Sequence, residues 1–231
     1  MNDNEIISHF GKEFHAKVLT DLEKYKAIWV LSEFEHVDYY SVNCIFKCLS
    51  KKHGQCILKI GNDARDTTNE YNILNEYNGV KYCKVYEADI ANGILLLERI
   101  TPGTQLRDEP CLDKRLELFC DLSRGLYIKP TNKDFYSTYM GWVSRITEYM
   151  RHRKDHANLY EKMAKAEQLC RGLCVKYPGE MLLHGDFHHD NILLGEHNMY
   201  RIIDPKGVVG DAVFDIPRFI LNEFEDELTS I

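Results

Sequence analysis

The sequence has no long apolar run. Its longest uninterrupted stretches, residues 27–31 and 94–97, fall far short of the roughly 20 residues that a spanning helix needs, so no membrane partner is expected. A secretory leader is not expected either: the opening Met1-Asn-Asp-Asn-Glu is acidic and polar, with no basic start and no apolar core. Basic residues are not in excess. Lys and Arg number 29 against 36 Asp and Glu, a net charge of −7, which argues against a nucleic-acid partner. None of the eight cysteines forms a C-x-x-C pair, which speaks against a zinc ribbon. They sit inside apolar patterns such as Gln55-Cys-Ile-Leu and Leu118 to Cys120, and are expected to be small buried hydrophobes. Reduced thiols point to the cytoplasm. There is no internal repeat and no low-complexity segment. The phosphate-binding pattern G-x-x-x-x-G-K-[ST] is missing, and so is G-x-G-x-x-G. Where the latter might stand, Glu35-His-Val-Asp-Tyr-Tyr-Ser41 carries no glycine.

What is present is an ordinary globular composition, 44% apolar and 28% charged over 231 residues. That length suits one bilobed domain or two small ones. The first half reads as strand-rich. Residues 27–34 are expected to form a strand, and 41–49 and 55–60 a hairpin around Lys51-Lys-His-Gly. A helix is expected over 63–78, with Asp63 as N-cap and Gly79 just past its end. Residues 82–88 and 93–98 read as two more strands around a turn at Asn92-Gly93. Thr101-Pro-Gly-Thr is a breaker cluster, and the boundary is placed there. It gives a lobe over 1–100, with five strands and one helix, and a second, mainly helical lobe over 101–231. In the latter, helices are expected over 112–127, 134–151 and 155–176. A small hairpin is expected from 192–194 and 200–203, and a last helix over about 212–228, capped by Asp211.

Three residues carry a chemical argument. Asn191 follows Asp186 by five positions, and Asp204 follows Asn191 by thirteen. The hairpin 192–203 would carry Asn191 and Asp204 at its two open ends, close together. Mg²⁺ prefers hard oxygen ligands and keeps several waters, so one Asn and one Asp beside a nucleotide's phosphates suit it. Asp186, on an irregular loop, is left near the ion and able to take a hydroxyl proton. This is the spacing of a kinase catalytic loop and its following metal-binding Asp.

A kinase also needs a cation on the phosphates. Lys59 lies mid-strand in Cys56-Ile-Leu-Lys-Ile. Glu70, Leu74 and Tyr77 share one face of the following helix, and a carboxylate on a core-facing stripe is costly unless paired. Lys59 is its nearest candidate. Glu76 is the alternative, but with Asn72 at i−4 it reads as solvent-facing. Ser41 is able to offer a hydroxyl and a backbone N–H to phosphate; its other reading is an ordinary strand start.

These residues resemble the aminoglycoside phosphotransferase superfamily of small-molecule kinases, and within it the aminoglycoside/hydroxyurea resistance kinases, which include streptomycin 6-kinases. The resemblance runs from about Ser41 to Phe224. Its most specific segments are His184-Gly-Asp-Phe-His-His-Asp-Asn-Ile-Leu194, Ile203-Asp-Pro-Lys-Gly207 and Gly210-Asp-Ala-Val-Phe-Asp215. It implies an α+β, bilobed protein-kinase-like fold, with a small β-rich N-lobe and a larger, mainly helical C-lobe. It also implies an ATP site between the lobes, with Lys59 on the phosphates and Glu70 holding it. The hinge backbone around Glu98–Ile100 would meet adenine. Asp186 would be the base, His188 a neighbour of the transferred phosphoryl, and Asn191 and Asp204 the Mg²⁺ ligands. His184 and Asp215 would brace the loop, and His189 and Asp190 are read as structural. The partner would be a small molecule bearing a hydroxyl: an aminoglycoside such as streptomycin, or hydroxyurea. The segment from Asp204 to Ile231, with seven acids against two cations, would suit a cationic one. Relatives continue with further helices after the last one, so a shortened C-terminus and a reduced or altered substrate pocket are expected. Two other readings exist. One is a kinase-like binder without activity. The other is a metal-dependent hydrolase, with His184 and His188 on Zn²⁺.

Overall fold

The structure, a computed structural model, describes residues 3–37, 43–153 and 157–222. The chain divides into two compact units, one holding the residues up to Thr104 with Leu194–Arg201, the other holding Gln105–Leu193 and the residues from Ile202.

The first unit opens with two helices, α1 (Asp3–Phe10) and α2 (Lys12–Ile28), then strands β1 (Leu31–His36), β2 (Asn43–Ser50) and β3 (Gly54–Gly61). Helix α3 (Ala64–Tyr77) follows, then β4 (Val85–Asp89) and β5 (Ile94–Glu98). All five strands pair antiparallel in the order β1-β2-β3-β5-β4. Side chains alternate across a sheet, and here both faces are used. Phe46 lies opposite Leu58, and Cys48 opposite Cys56. These residues, with Cys44, Ile60 and Leu96, bury against Ile6, Phe14, Val18 and Tyr25 of α1 and α2. Lys59 has the other parity, lies opposite Ile45 and Leu95, and faces α3.

The residues before 27 carry a helical spacing of their own in Phe14, Val18 and Tyr25, all buried. The strand expected over 27–34 is therefore corrected. Ala27 and Ile28 complete the last turn of α2, where the Trp29 N–H donates to the Tyr25 carbonyl at 2.9 Å, and β1 starts only at Leu31. The hairpin and α3 are found as expected. Asp63 accepts from the Arg65 N–H at 2.8 Å, and Asn78 and Gly79 both take positive φ at the helix end.

The second unit contains α4 (Leu112–Ser123), β6 (Ser137–Thr138), α5 (Tyr139–His152), α6 (Ala157–Lys176) and β7 (Met181–Leu183). The ribbon of β8 (Ile192–Leu194) and β9 (Tyr200–Ile202) follows, its tip counted with the first unit, then β10 (Val208–Gly210) and α7 (Ile216–Leu221). β10 lies between β6, to which it is parallel, and β7, to which it is antiparallel. Helix α4 stops before the expected 127, and Gly125 takes φ +65 just beyond it. Helix α5 starts at Tyr139 rather than 134, because Thr138 caps it by accepting from the Gly141 N–H at 3.0 Å. Asp211 caps a short 3-10 turn, Ala212–Phe214, before α7, and the expected helix beyond 222 lies outside the described residues. No described helix is long and apolar enough to cross a membrane. All eight cysteines are free. Cys111 and Cys120 are exposed, which corrects their expected burial: Cys111 stands just before α4 and Cys120 falls on its outer face.

Candidate active site

In the first unit, Lys59 Nζ lies 2.6 Å from Glu70 Oε2, and each side chain is 6% exposed. A two-residue repeat on β3 and a helical repeat on α3 bring them to one interface. Burying either ion alone is costly, so each justifies the other. Of the expected hinge, Glu98 is the last residue of β5 and Ile100 stands two residues beyond it. The Glu98 N–H donates to the Lys84 carbonyl at 2.8 Å, and its carboxylate accepts from the Lys84 N–H at 3.0 Å. Arg201 Nη2 lies 3.1 Å from the same carboxylate oxygen, and near the carbonyls of Gly79 and Tyr82 at 2.7 and 2.8 Å. The Glu98 side chain and N–H thus serve the strand pairing; Ile100 is buried. Ser41 lies outside the described residues.

In the second unit the loop from His184 to Asn191 is held from beneath. Asp215, 1% exposed, accepts from the backbone N–H of His184 at 2.8 Å and of Gly185 at 2.9 Å. Gly185 has φ +82, where a side chain is strained, and a Cβ there would sit a tight 3.3 Å from Lys206 and Val208. His184 Nδ1 accepts from the Asp186 N–H at 3.1 Å, and Nε2 lies 2.9 Å from the Ile203 carbonyl, which fixes the proton on Nε2. Both ring nitrogens are committed to backbone partners, which speaks against the zinc reading of His184. His184 stacks on Phe187, and Phe187 meets Phe119, which stacks in turn on Phe219.

Three expected residues are brought together above this base. Asn191 Nδ2 donates to the Asp186 carbonyl at 3.0 Å, and the Ile203 N–H donates to the Asn191 carbonyl at 3.0 Å. That second bond sets Asp204, the next residue, beside Asn191. The Asn191 amide nitrogen being spent, its oxygen is the ligand atom it has to offer. Asp204 takes φ +56, a rare conformation for a non-glycine residue, and one carboxylate oxygen lies 2.8 Å from Lys206 Nζ. One Asn and one Asp, each offering a hard oxygen, suit Mg²⁺, so the residue types fit that ion.

His188 stands between two carboxylates, Nε2 at 3.6 Å from Asp186 Oδ2 and Nδ1 at 3.4 Å from Asp190 Oδ2. Burial lowers its pKa, but the two acids outweigh this and hold it above the ordinary value. Burial raises the Asp186 carboxyl, yet His188 and Arg218 prevail and hold it well below the usual range. Asp190, read as structural, is gripped by Arg107 through Nε at 2.5 Å and Nη2 at 3.0 Å. Arg218 Nε donates to Asp186 Oδ1 at 2.7 Å. Neither arginine was found from the sequence. They stand 83 and 32 residues from their partners, and no local pattern announces them.

The buried imidazole makes the loop acid-sensitive. Burial pushes His184 down to about 4, against about 6.5 when unfolded. Between those values the unfolded chain binds a proton that the folded one refuses. The stability linked to His184 is thus present above pH 6.5 and lost as pH falls through 4. Asp215, raised by burial to about 6, acts in the opposite sense: its contribution is full below about 3.9 and lost as pH rises through 6. Replacing His184 with Gln isolates the first effect. In urea melts, the wild type's lead over His184→Gln is expected to shrink by about 2 kcal/mol from pH 7 to pH 5. A lead that does not change with pH would mean that the imidazole is not held neutral.

Comparison with known proteins agrees with the kinase-like resemblance. A streptomycin 6-kinase of Streptomyces glaucescens is 23% identical over 178 residues, 74% of this chain and 56% of that kinase. A hydroxyurea phosphotransferase of Kitasatospora aureofaciens is 43% identical over 47 residues, 20% of this chain and 14% of that protein. The chain spans about half the length of the streptomycin kinases it matches. The choline kinase LicA from Streptococcus pneumoniae superposes with a TM-score of 0.68 at 15% identity, covering 91% of this chain and 76% of that one. At that identity the likeness is one of fold, the mixed α+β kinase-like fold. The family model for aminoglycoside/hydroxyurea antibiotic resistance kinases matches residues 29–230, and the chain belongs to that family.

Proposed function

We propose that this chain is an ATP- and Mg²⁺-dependent O-phosphotransferase that phosphorylates a hydroxyl of an aminoglycoside such as streptomycin, or hydroxyurea, and so confers resistance. The observation that carries the reading is the hydrogen-bonded link of Asp186 and Asn191, on one braced loop, with the residue before Asp204. Asp186 takes the acceptor's hydroxyl proton as that oxygen bonds the γ-phosphorus and the bond from phosphorus to the ADP oxygen breaks. Lys59, held by Glu70, contacts the phosphates. His188, flanked by two carboxylates, offers positive charge beside the reacting group. Asn191 and Asp204 hold Mg²⁺, which when bound neutralises phosphate charge. Support for a nucleotide donor also comes from LicA, whose structure has been solved with AMP. The substrate class is carried by the names of the relatives, streptomycin kinases and a hydroxyurea phosphotransferase. Masking a hydroxyl that a drug needs for its target accounts for resistance.

The test is mass spectrometry of a panel (streptomycin, other aminoglycosides, hydroxyurea, amino alcohols, sugars) after incubation with protein, ATP and Mg²⁺. One compound class is expected to gain a single phosphoryl mass, and to lose that gain when EDTA is added. No product from any compound would overturn the reading.

A further inference from the structure

Among the contacts that hold the loop carrying Asp186, those of Asp215 and Arg218 differ in kind. Asp215, at 1% exposure, binds only backbone and is sealed in the core. Arg218 stands three residues further on and binds the Asp186 carboxylate itself, through Nε at 2.7 Å. Its side chain is 43% exposed, so it can swing into solvent without uncovering the core. Its neighbour Phe219 is buried against Phe119 and His189, with ring centroids at 4.0 and 3.9 Å, so α7 stays in place when Arg218 moves. A partly exposed ion pair is a weak bond that a competing ligand is able to break. A general base works best with its carboxylate free to receive a proton, and a guanidinium on one oxygen opposes that.

Resting on the assignment of Asp186 as base, we infer that Arg218 is a latch: its guanidinium occupies the Asp186 oxygen until an acceptor displaces it. The latch denies that oxygen to water. Without it, a water molecule gives its proton to Asp186, its oxygen bonds the γ-phosphorus, and the bond to ADP breaks, releasing inorganic phosphate. Arg218 thus couples donor cleavage to the presence of an acceptor.

The experiment measures phosphate release from ATP and Mg²⁺ without acceptor, in wild type, Arg218→Gln, Arg218→Lys and the double variant Arg218→Gln/Asp186→Asn. A severalfold rise in Arg218→Gln, a smaller rise in Arg218→Lys and none in the double variant are expected. A wild type that phosphorylates an acceptor while Arg218→Gln releases no more phosphate than wild type overturns the latch and leaves the kinase reading standing. A wild type that phosphorylates nothing overturns the kinase reading itself. A melting-temperature cycle of Arg218→Gln and Asp186→Ala, which takes away the acceptor oxygen, judges the contact apart from turnover. Non-additive shifts support it, and strictly additive shifts overturn it.

Discussion

Asp186→Asn is expected to lower kcat for phosphoryl transfer by roughly 10²–10⁴, the range that a positioned general base contributes. Asparagine has the shape of aspartate and loses only the charge and the proton acceptor. The backbone links of residue 186, to the His184 ring and the Asn191 amide, do not involve its side chain. Asparagine Oδ1 still accepts from Arg218, so the loop keeps its form. Neither Lys59 nor its Glu70 partner is touched, and ATP affinity measured by calorimetry is expected to hold. A fall in kcat with an unchanged ATP binding constant separates a lost base from a lost nucleotide site. Transfer at the wild-type rate would end the assignment of Asp186.

Much of this arrangement was legible because short-range periodicity encodes it. A two-residue alternation gave away β2, a second β-rich run across a glycine-containing turn gave away β3, and a helical stripe through Glu70, Leu74 and Tyr77 set a carboxylate where a cation would balance it. Lys59, the nearest candidate on the preceding strand, lies 2.6 Å from Glu70. Where the sequence misled, local apolar character was ambiguous. Residues 27–31 look like a strand start, yet the burial of Tyr25 draws Ala27 and Ile28 into α2. Strands β6 and β10 have two and three residues, too few for any period to declare itself. The contacts that tune the loop were not legible at all. Arg107 reaches Asp190 and Arg218 reaches Asp186 only because the chain folds back, and nothing beside either arginine hints at its partner. His184 lies between these cases. Its place in the His184-Gly-Asp motif suggested support for the loop, but only the fold shows that both its nitrogens are spent there.

The second large effect tests whether Lys59 and Glu70 matter for stability, for chemistry, or for both. Glu70→Ala takes from Lys59, 6% exposed, the carboxylate 2.6 Å away, and Lys59→Met takes the ammonium from a carboxylate equally buried. Removing one partner of a buried pair costs about 3–5 kcal/mol, a large share of the roughly 5–15 kcal/mol that holds a typical domain. Both single variants are therefore expected to unfold at much lower urea than the wild type. The double variant Lys59→Met/Glu70→Leu removes both charges and refills the space with apolar groups of similar size. Such exchanges are often neutral or stabilising, so its urea midpoint is expected to return to near wild type. Transfer is not expected to return with it, since an apolar pair has nothing to offer a phosphate. A double variant that is stable and inactive assigns the pair to phosphate binding as well as to the fold. One that is stable and fully active would leave the pair as packing alone, and Lys59 would lose its place in the site.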